Sequence, residues 1–265
     1  MGNTDAHLSE ESASEGMDDV VETLSEPELT DPVLVEGLPG VGHVGTLVAE
    51  HLIEEGSGEP VRRIYSEHLP PQVTVSESGI AELVCVECHH VSLGGQDMLV
   101  VSGDQQAATG VGHYRIAEAV LDIAAEFEVK ELLALGGVPT GELVEEHAVL
   151  GAVTGDSLIE PLEASGVEFR ENEPEGGIVG ISGLLVGLGA RRDLDSACLM
   201  GETSGYLVDP KSAQALLGVL QDHLDFEIDL TELEERADEM EDVVARMQEI
   251  ENQNVPTEDD LRYIG

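Results

Sequence analysis

The residues best suited to chemistry lie in a glycine-rich stretch between Gly37 and Gly45. Within it, the segment Gly40 to Gly45, GVGHVG, matches the G-x-G-x-x-G pattern of dinucleotide-binding loops. Glycines in that pattern let the backbone approach a pyrophosphate at the N-terminus of a helix. The chain has 30 glycines, so chance matches are expected, and glycines also allow a helix to pack closely on a sheet. The loop predicts either an anion-binding turn or a packing device.

The elements around this loop predict an α/β fold. The apolar run Val33 to Val35 is typical of a buried strand, and helical spacing of apolar residues begins at His43. Further strands alternate with helices, the pattern of a mostly parallel sheet covered by helices on both faces. The predicted strands are Val61–Glu67, Val73–Val75, Ala81–Val86, Asp97–Gly103, Leu132–Leu135 and Ala197–Met200, and the clearest later helices are Gly112–Phe127 and Pro210–His223. Residues 148–175 predict a short strand, a helix and an acidic loop, and residues 178–188 predict a strand that turns into a helix.

Small polar loops follow four of the predicted strands. The carboxyl ends of parallel strands meet at one edge of a sheet, where their loops can enclose a ligand. The candidate pocket residues on these loops are Gly40, Gly42, Gln105, Thr140 and Thr203. Chain reversals need glycine in any case, so the loops alone do not distinguish a ligand pocket from ordinary turns.

Two cysteines and two histidines form the cluster Cys85-Val86-Glu87-Cys88-His89-His90. Its spacing allows a zinc half-site, a redox pair or haem attachment. Residues 81–91 predict a strand, on which positions three apart point to opposite faces, and Cys198 is the one other cysteine. The sequence also has no G-x-S-x-G elbow, Walker loop or H-E-x-x-H motif. We predict no metal site and no cofactor, and no motif identifies an enzyme.

The charge of the chain is strongly acidic. Fifty-six acidic residues face 11 basic ones, which gives a formal net charge of -45. Such a chain repels phosphate backbones and anionic lipids, which argues against nucleic acid or membrane as a partner. The acid is spread over nearly every segment, as expected of a surface adapted to concentrated salt. The first 16 residues lack the apolar core of a secretory signal, so we expect a soluble cytoplasmic protein.

The two ends of the chain differ in composition from the centre. Residues 1–31 are acidic and predict a mobile arm, residues 32–228 the α/β domain, residues 229–251 a long acidic helix, and residues 252–265 a linker and tail. The helix has an apolar seam with steps of three and four, typical of packing on a partner subunit or on its own domain. Its members include Leu230, Leu233, Met240 and Met247. The apolar and aromatic end of the tail suggests a docking peptide.

Five segments in order resemble one known family. They are GLPGVGHVG from Gly37, YSEHLPPQV from Tyr65, GDQQ from Gly103, GGVPTGE from Gly136 and LMGETSGYLVDPKSA from Leu199. Together they resemble the archaeal branch of the proteasome assembly chaperone family, whose domain is shared with the second eukaryotic proteasome assembly chaperone. The resemblance covers residues 32–250, which is most of the chain.

This resemblance implies a fold similar to that of purine nucleoside phosphorylases without their chemistry. It implies a non-enzymatic, self-associating protein that helps to build the 20S proteasome or engages it as an ATP-independent activator. Family tails dock on proteasome α-subunits through a hydrophobic residue, a tyrosine and a terminal residue, which implies a docking tip here. Its residues are Leu261, Tyr263, Ile264 and Gly265. The glycine loops leave a different hypothesis open, that of a small-molecule or nucleotide-binding enzyme.

Overall fold

The computed structural model describes residues 19–76, 78–144, 146–174 and 176–240. Eleven strands and six α-helices lie in these ranges, the last helix beginning at residue 231. The strands are β1 Val20–Thr23, β2 Val33–Glu36, β3 Glu59–Tyr65, β4 Val73–Val75, β5 Ala81–Leu83, β6 Val86–Leu93, β7 Gln96–Ser102, β8 Glu131–Pro139, β9 Val149–Val153, β10 Val167–Glu168 and β11 Asp195–Thr203. The first five helices are α1 Val44–Glu55, α2 Gly110–Glu126, α3 Ile159–Ala164, α4 Ile181–Ala190 and α5 Pro210–Leu224. Throughout the described ranges, none of the helices is both long and apolar enough to cross a membrane.

Nine of the strands form one sheet in the order β1-β3-β6-β7-β2-β8-β11-β9-β10. Its centre is parallel, because β2 pairs in parallel with β7 and β8, and β8 pairs in parallel with β11. On one side of this centre, the neighbouring strands β1, β3, β6 and β7 pair antiparallel. On the other side, β11 pairs antiparallel with β9. The turn from β6 to β7 uses Gly94 and Gly95 at positive φ, as a two-residue hairpin requires. The predicted α/β fold is confirmed, with a parallel centre inside a mixed sheet.

Helices cover both faces of the sheet, as predicted. Val33 and Val35 of β2 belong to one core, together with buried side chains of α1 and α5. Leu34 belongs to the other core, which is closed by α2 and α4. Because side chains on a strand alternate between faces, Glu36 shares the second face with Leu34.

The mobile arm predicted for residues 1–31 is wrong from residue 19 onward. β1 lies inside that range and pairs antiparallel with β3. The side chain of Arg62 is only 1% exposed and holds this segment through a bond from Nη1 to the Ser25 carbonyl oxygen. Its Nη2 lies 2.7 Å from Glu126 Oε1, and its guanidinium lies 4.8 Å from the centre of the Phe127 ring. Long-range contacts therefore order a segment whose composition predicts mobility.

Two local predictions differ from the structure. The strand predicted over residues 81–86 ends at Leu83, and β6 begins separately at Val86, so β4 and β5 form a two-stranded hairpin of their own. In residues 178–188 no strand is present, and α4 begins at Ile181. The short strand and helix predicted after residue 148 are present as β9 and α3.

A further helix begins at residue 231 and is described through residue 240. Leu233 and Ala237 are buried, and Leu233 belongs to the core shared by α1 and α5, with Leu230 packed against it. The Asp229 carbonyl oxygen lies 2.6 Å from Nε2 of the buried His51 in α1. This part of the predicted seam packs on its own domain, so Leu233 is not available to a partner subunit.

Candidate functional site

Four loops meet at the carboxyl edge of the parallel centre, where β2, β7, β8 and β11 end. The Thr140 amide donates to the Thr203 carbonyl oxygen at 2.8 Å, which joins the loops after β8 and β11. The Asp209 amide donates to the Gly42 carbonyl oxygen at 2.9 Å, which joins the loop after β11 to the loop after β2. The structure therefore brings together the predicted loops as a loop cluster.

Gly42 and Thr203 are packed against each other inside this loop cluster. Both are buried, and a Cβ atom built on Gly42 would lie 2.8 Å from Thr203 Oγ1. A dinucleotide fingerprint needs this position open, because the pyrophosphate approaches the backbone there. Gly45 is equally close to a neighbouring strand, since its Cβ would lie 2.6 Å from the Leu135 carbonyl oxygen. Gly42 and Gly45 therefore act as packing devices, in line with the second of the two predicted alternatives, whereas Gly40 has no such close contact.

The other predicted pocket residues lie at the rim of the loop cluster. Gly40 and Thr140 are exposed, and Gln105 is partly exposed. The more extensive contacts belong to Gln106, whose Nε2 donates to the Pro39 carbonyl oxygen and whose Oε1 lies 3.0 Å from His113 Nε2. Gln105 and Gln106 are adjacent residues of the same polar loop, so the sequence does not show which of them makes these contacts, and only the fold distinguishes them.

Asp209 connects Thr203 to His147 beneath the loop cluster. Its Oδ1 accepts from the Ser212 amide at 3.0 Å, the N-cap bond of α5, and lies 3.3 Å from His147 Nε2. Burial raises the pKa of Asp209, but hydrogen bonds from His147, the Ser212 amide and Thr203 outweigh burial and leave the pKa below its usual range. The Asp209 carboxylate therefore caps α5 and links the segment around His147 to the end of β11 at Thr203.

Glu36 is the most unusual ionisable group at this edge. It is 0% exposed, and its Oε1 accepts from the Leu38 amide at 2.9 Å, while Oε2 has no hydrogen-bond partner among the described residues. Burial raises the pKa of Glu36 to about 7, and the Leu38 amide and the nearby Ser182 hydroxyl offset part of this rise. By strand register, Glu36 and Cys198 flank Ala134 in one row beneath α4.

Residues 34–248 match the family model named PAC2 family. The chain belongs to the PAC2 family. The protein MJ1210 of Methanocaldococcus jannaschii, described as uncharacterized, is 38% identical over 244 residues, which cover 89% of this chain and 93% of that protein.

Two solved structures of Pyrococcus furiosus resemble the PAC2 domain described above. PbaB, an archaeal proteasome activator, has a TM-score of 0.81 at 36% identity, with 87% of this chain and 99% of PbaB covered. PbaA, an archaeal homolog of proteasome-assembly chaperone, has a TM-score of 0.73 at 25% identity, with 88% of this chain and 93% of PbaA covered.

The cysteines of this PAC2 domain are held in the protonated thiol form at neutral pH. Burial raises the pKa of Cys85 to about 11 and that of Cys88 to about 12, and it also raises the pKa of Cys198. Across the described part of the chain, no three or more His, Cys, Asp or Glu side chains form a group that could hold a metal ion.

The predicted docking tail lies outside the described residues, and so does Met247 of the predicted oligomer seam. Met240 is the last described residue of the helix and is partly exposed. The docking role of the tail and the oligomer role of the remaining seam stay predictions.

Proposed function

We propose that this chain is a non-enzymatic chaperone or adaptor of the 20S proteasome, acting in the cytoplasm on its α-subunits. It would assist assembly or engage the finished particle as an ATP-independent activator. The observation that carries this proposal is the similarity to PbaB over nearly the whole of PbaB, at 36% identity and a TM-score of 0.81.

The geometry of the loop cluster supports a role without catalysis. The positions that a nucleotide would need are occupied by contacts within the protein, as Gly42 and Thr203 illustrate. Asp209 caps a helix, and His147 is bound to that same carboxylate. These groups are used to hold the fold, so we infer that the edge of the sheet serves as a rigid surface and not as an active site.

The C-terminal region provides the proposed attachment. The helix from residue 231 is fixed to the domain by Leu233 and Ala237, so the chain leaves the domain from a defined point. Beyond it, the predicted linker would give the docking tip the reach to contact an α-subunit. The later part of the seam, from Met240 to Met247, would join subunits of a homo-oligomer.

The test is purification of the full-length protein from its own lysate, with mass spectrometry of the proteins that come with it. We expect proteasome α-subunits with the native chain and their loss when Leu261–Gly265 is deleted. A variant with Asp259→Asn and Asp260→Asn, next to the tip, should retain them. Absence of proteasome subunits from the native preparation would refute the proposed function, whereas their retention by the deletion would refute the role of the tail alone.

A further inference from the structure

The hairpin formed by β4 and β5 has an apolar face that no part of the described chain covers. Val73 pairs with Leu83 and Val75 pairs with Ala81, so the four side chains share one face. More than half of the surface of Val73, Val75 and Leu83 is exposed, and Ile80 beside them is 60% exposed. Contiguous apolar surface of this kind marks an interaction site.

The hairpin is nevertheless anchored to the domain at both of its bases. Leu69 and Val84 at its two bases are buried in the core beneath α2. At its tip, the Ser76 amide donates to the Ile80 carbonyl oxygen at 2.9 Å. A two-stranded hairpin is marginally stable by itself in water, and covering its apolar face would add the stability that it lacks. A preformed face also costs little ordering entropy when a partner binds.

The opposite face of the hairpin, together with Leu83 at the border of the apolar face, lines an acidic cleft of about 290 Å³. Thr74 and Glu82 form its outer wall. The inner wall adds Glu50, Glu87 and Asp104. Among the described residues that line the cleft, Arg63 alone is basic, and its Nε is already 2.6 Å from Glu87 Oε1. Four carboxylates against one paired arginine leave the cleft negative, so a cation from outside would complement it.

We propose that the hairpin face and the acidic cleft dock a protein segment in which apolar side chains flank a lysine or arginine. The inference rests on the proposed function, under which this segment belongs to the 20S particle. A second copy of the chain does not fit, because only 11 of its 265 residues are basic and it would bring carboxylates to an acidic cleft. Apolar burial would supply affinity, and the cation would set orientation and association rate.

The test measures the Kd of the full-length chain for purified 20S particles from the same organism. Val75→Ser combined with Leu83→Ser replaces two of the four apolar side chains of the face, one on each strand, and Leu143→Ser is the control. Leu83 and Leu143 are 52% and 54% exposed, and Leu143 follows β8 in a different loop at the same edge. We expect the double variant to weaken binding about tenfold or more, as loss of a central apolar contact does, and the control to leave it unchanged.

A second pair of variants tests the cleft. Glu82→Gln with Asp104→Asn should weaken binding at moderate salt and flatten its dependence on KCl, because the attraction is electrostatic. Glu142→Gln, which removes a carboxylate from the Leu143 loop, is the matched control. All substituted side chains are at least partly exposed or line the cleft. The midpoint of thermal unfolding of each variant should therefore lie within about 2 °C of that of the native chain.

Equal binding by the native chain and the Val75→Ser/Leu83→Ser variant would overturn the inference and leave the proposed function intact. If that variant instead dissociates a homo-oligomer while it still binds 20S particles, the face belongs to a second copy and the inference is wrong. Failure of the native chain to bind 20S particles would refute the proposed function itself.

Discussion

Replacing Glu36 with glutamine should remove a pH-dependent loss of stability. Glu36 is fully buried with Oε2 unpaired, and its pKa is raised to about 7 from an ordinary value of 4.5. When the pKa of a carboxyl is higher in the folded state than in the unfolded state, the protonated form of that carboxyl stabilises the fold relative to the ionised form. Glu36 therefore does not destabilise the folded protein below pH 4.5, and the free energy of unfolding falls as the pH rises through 7.

The magnitude follows from the size of the shift. A rise of roughly 2.5 pKa units at 1.36 kcal/mol per unit is about 3 kcal/mol of folding free energy. Glutamine keeps the oxygen that accepts from the Leu38 amide, and its uncharged amide has no cost of ionisation. The free energy of unfolding of Glu36→Gln relative to the native chain should thus grow by about 3 kcal/mol between pH 4.5 and pH 8.

Urea unfolding at several pH values and constant salt measures this difference. The other carboxylates titrate in both proteins, so their effect cancels in the comparison. Ser182→Ala provides a second test, because loss of the hydroxyl that lowers the pKa should move the change to higher pH. A difference that stays flat from pH 4.5 to pH 8 would show that Glu36 is not held as a buried acid and would refute the reasoning.

Two other predictions concern backbone packing and charge. Gly42→Ala should lower the free energy of unfolding in urea by about 3 kcal/mol, because Gly42 has a φ of +64° and the new Cβ would overlap Thr203. Gly79→Ala should lower it by only about 1 kcal/mol, because Gly79 has a φ of +82° but no atom lies within 4 Å of the new Cβ. Equal costs for the two alanines would contradict the proposed overlap. Because the net charge is -45, the midpoint of thermal unfolding should rise by several degrees from roughly 0.1 M to 1 M KCl as the Debye length falls from about 10 Å to 3 Å. A midpoint that falls or stays constant would argue against adaptation to salt.

The sequence predicts the centre of the fold well because its signals there are local. Pro210 is suited to a first helical turn and predicts the start of α5, and Asp209 caps that turn in the structure. The β1 strand has no such signal, since all four of its side chains are exposed. It is ordered by pairing with β3 and by Arg62, about 40 residues later in the chain. Such long-range contacts leave no periodic pattern in the segment that they order.

The loop cluster could be predicted from topology, whereas its most unusual residue could not. Loops that follow parallel strands must meet, and the contacts of Thr140 with Thr203 confirm that they do. The acidic composition does not distinguish Glu36 from the other acidic residues, of which the chain has 56 in total and most of which are expected to be solvated. One local signal distinguishes it, because it directly follows the apolar run Val33 to Val35 in a strand buried along its whole length. A carboxylate that ends such a strand has no route to solvent on either face.

The order of strands in the sheet also sets the order in which the chain can fold. The antiparallel strands β6 and β7 are consecutive in sequence, and only the short β4–β5 hairpin separates them from β3, so the three strands can pair soon after they are synthesised. The parallel centre needs β8 to enter beside β2, and β11 beside β8, across long stretches of chain. Closing such distant pairs is slow, and it waits until residue 203 has left the ribosome. The side of the molecule that carries the hairpin can therefore take shape before the loop cluster exists.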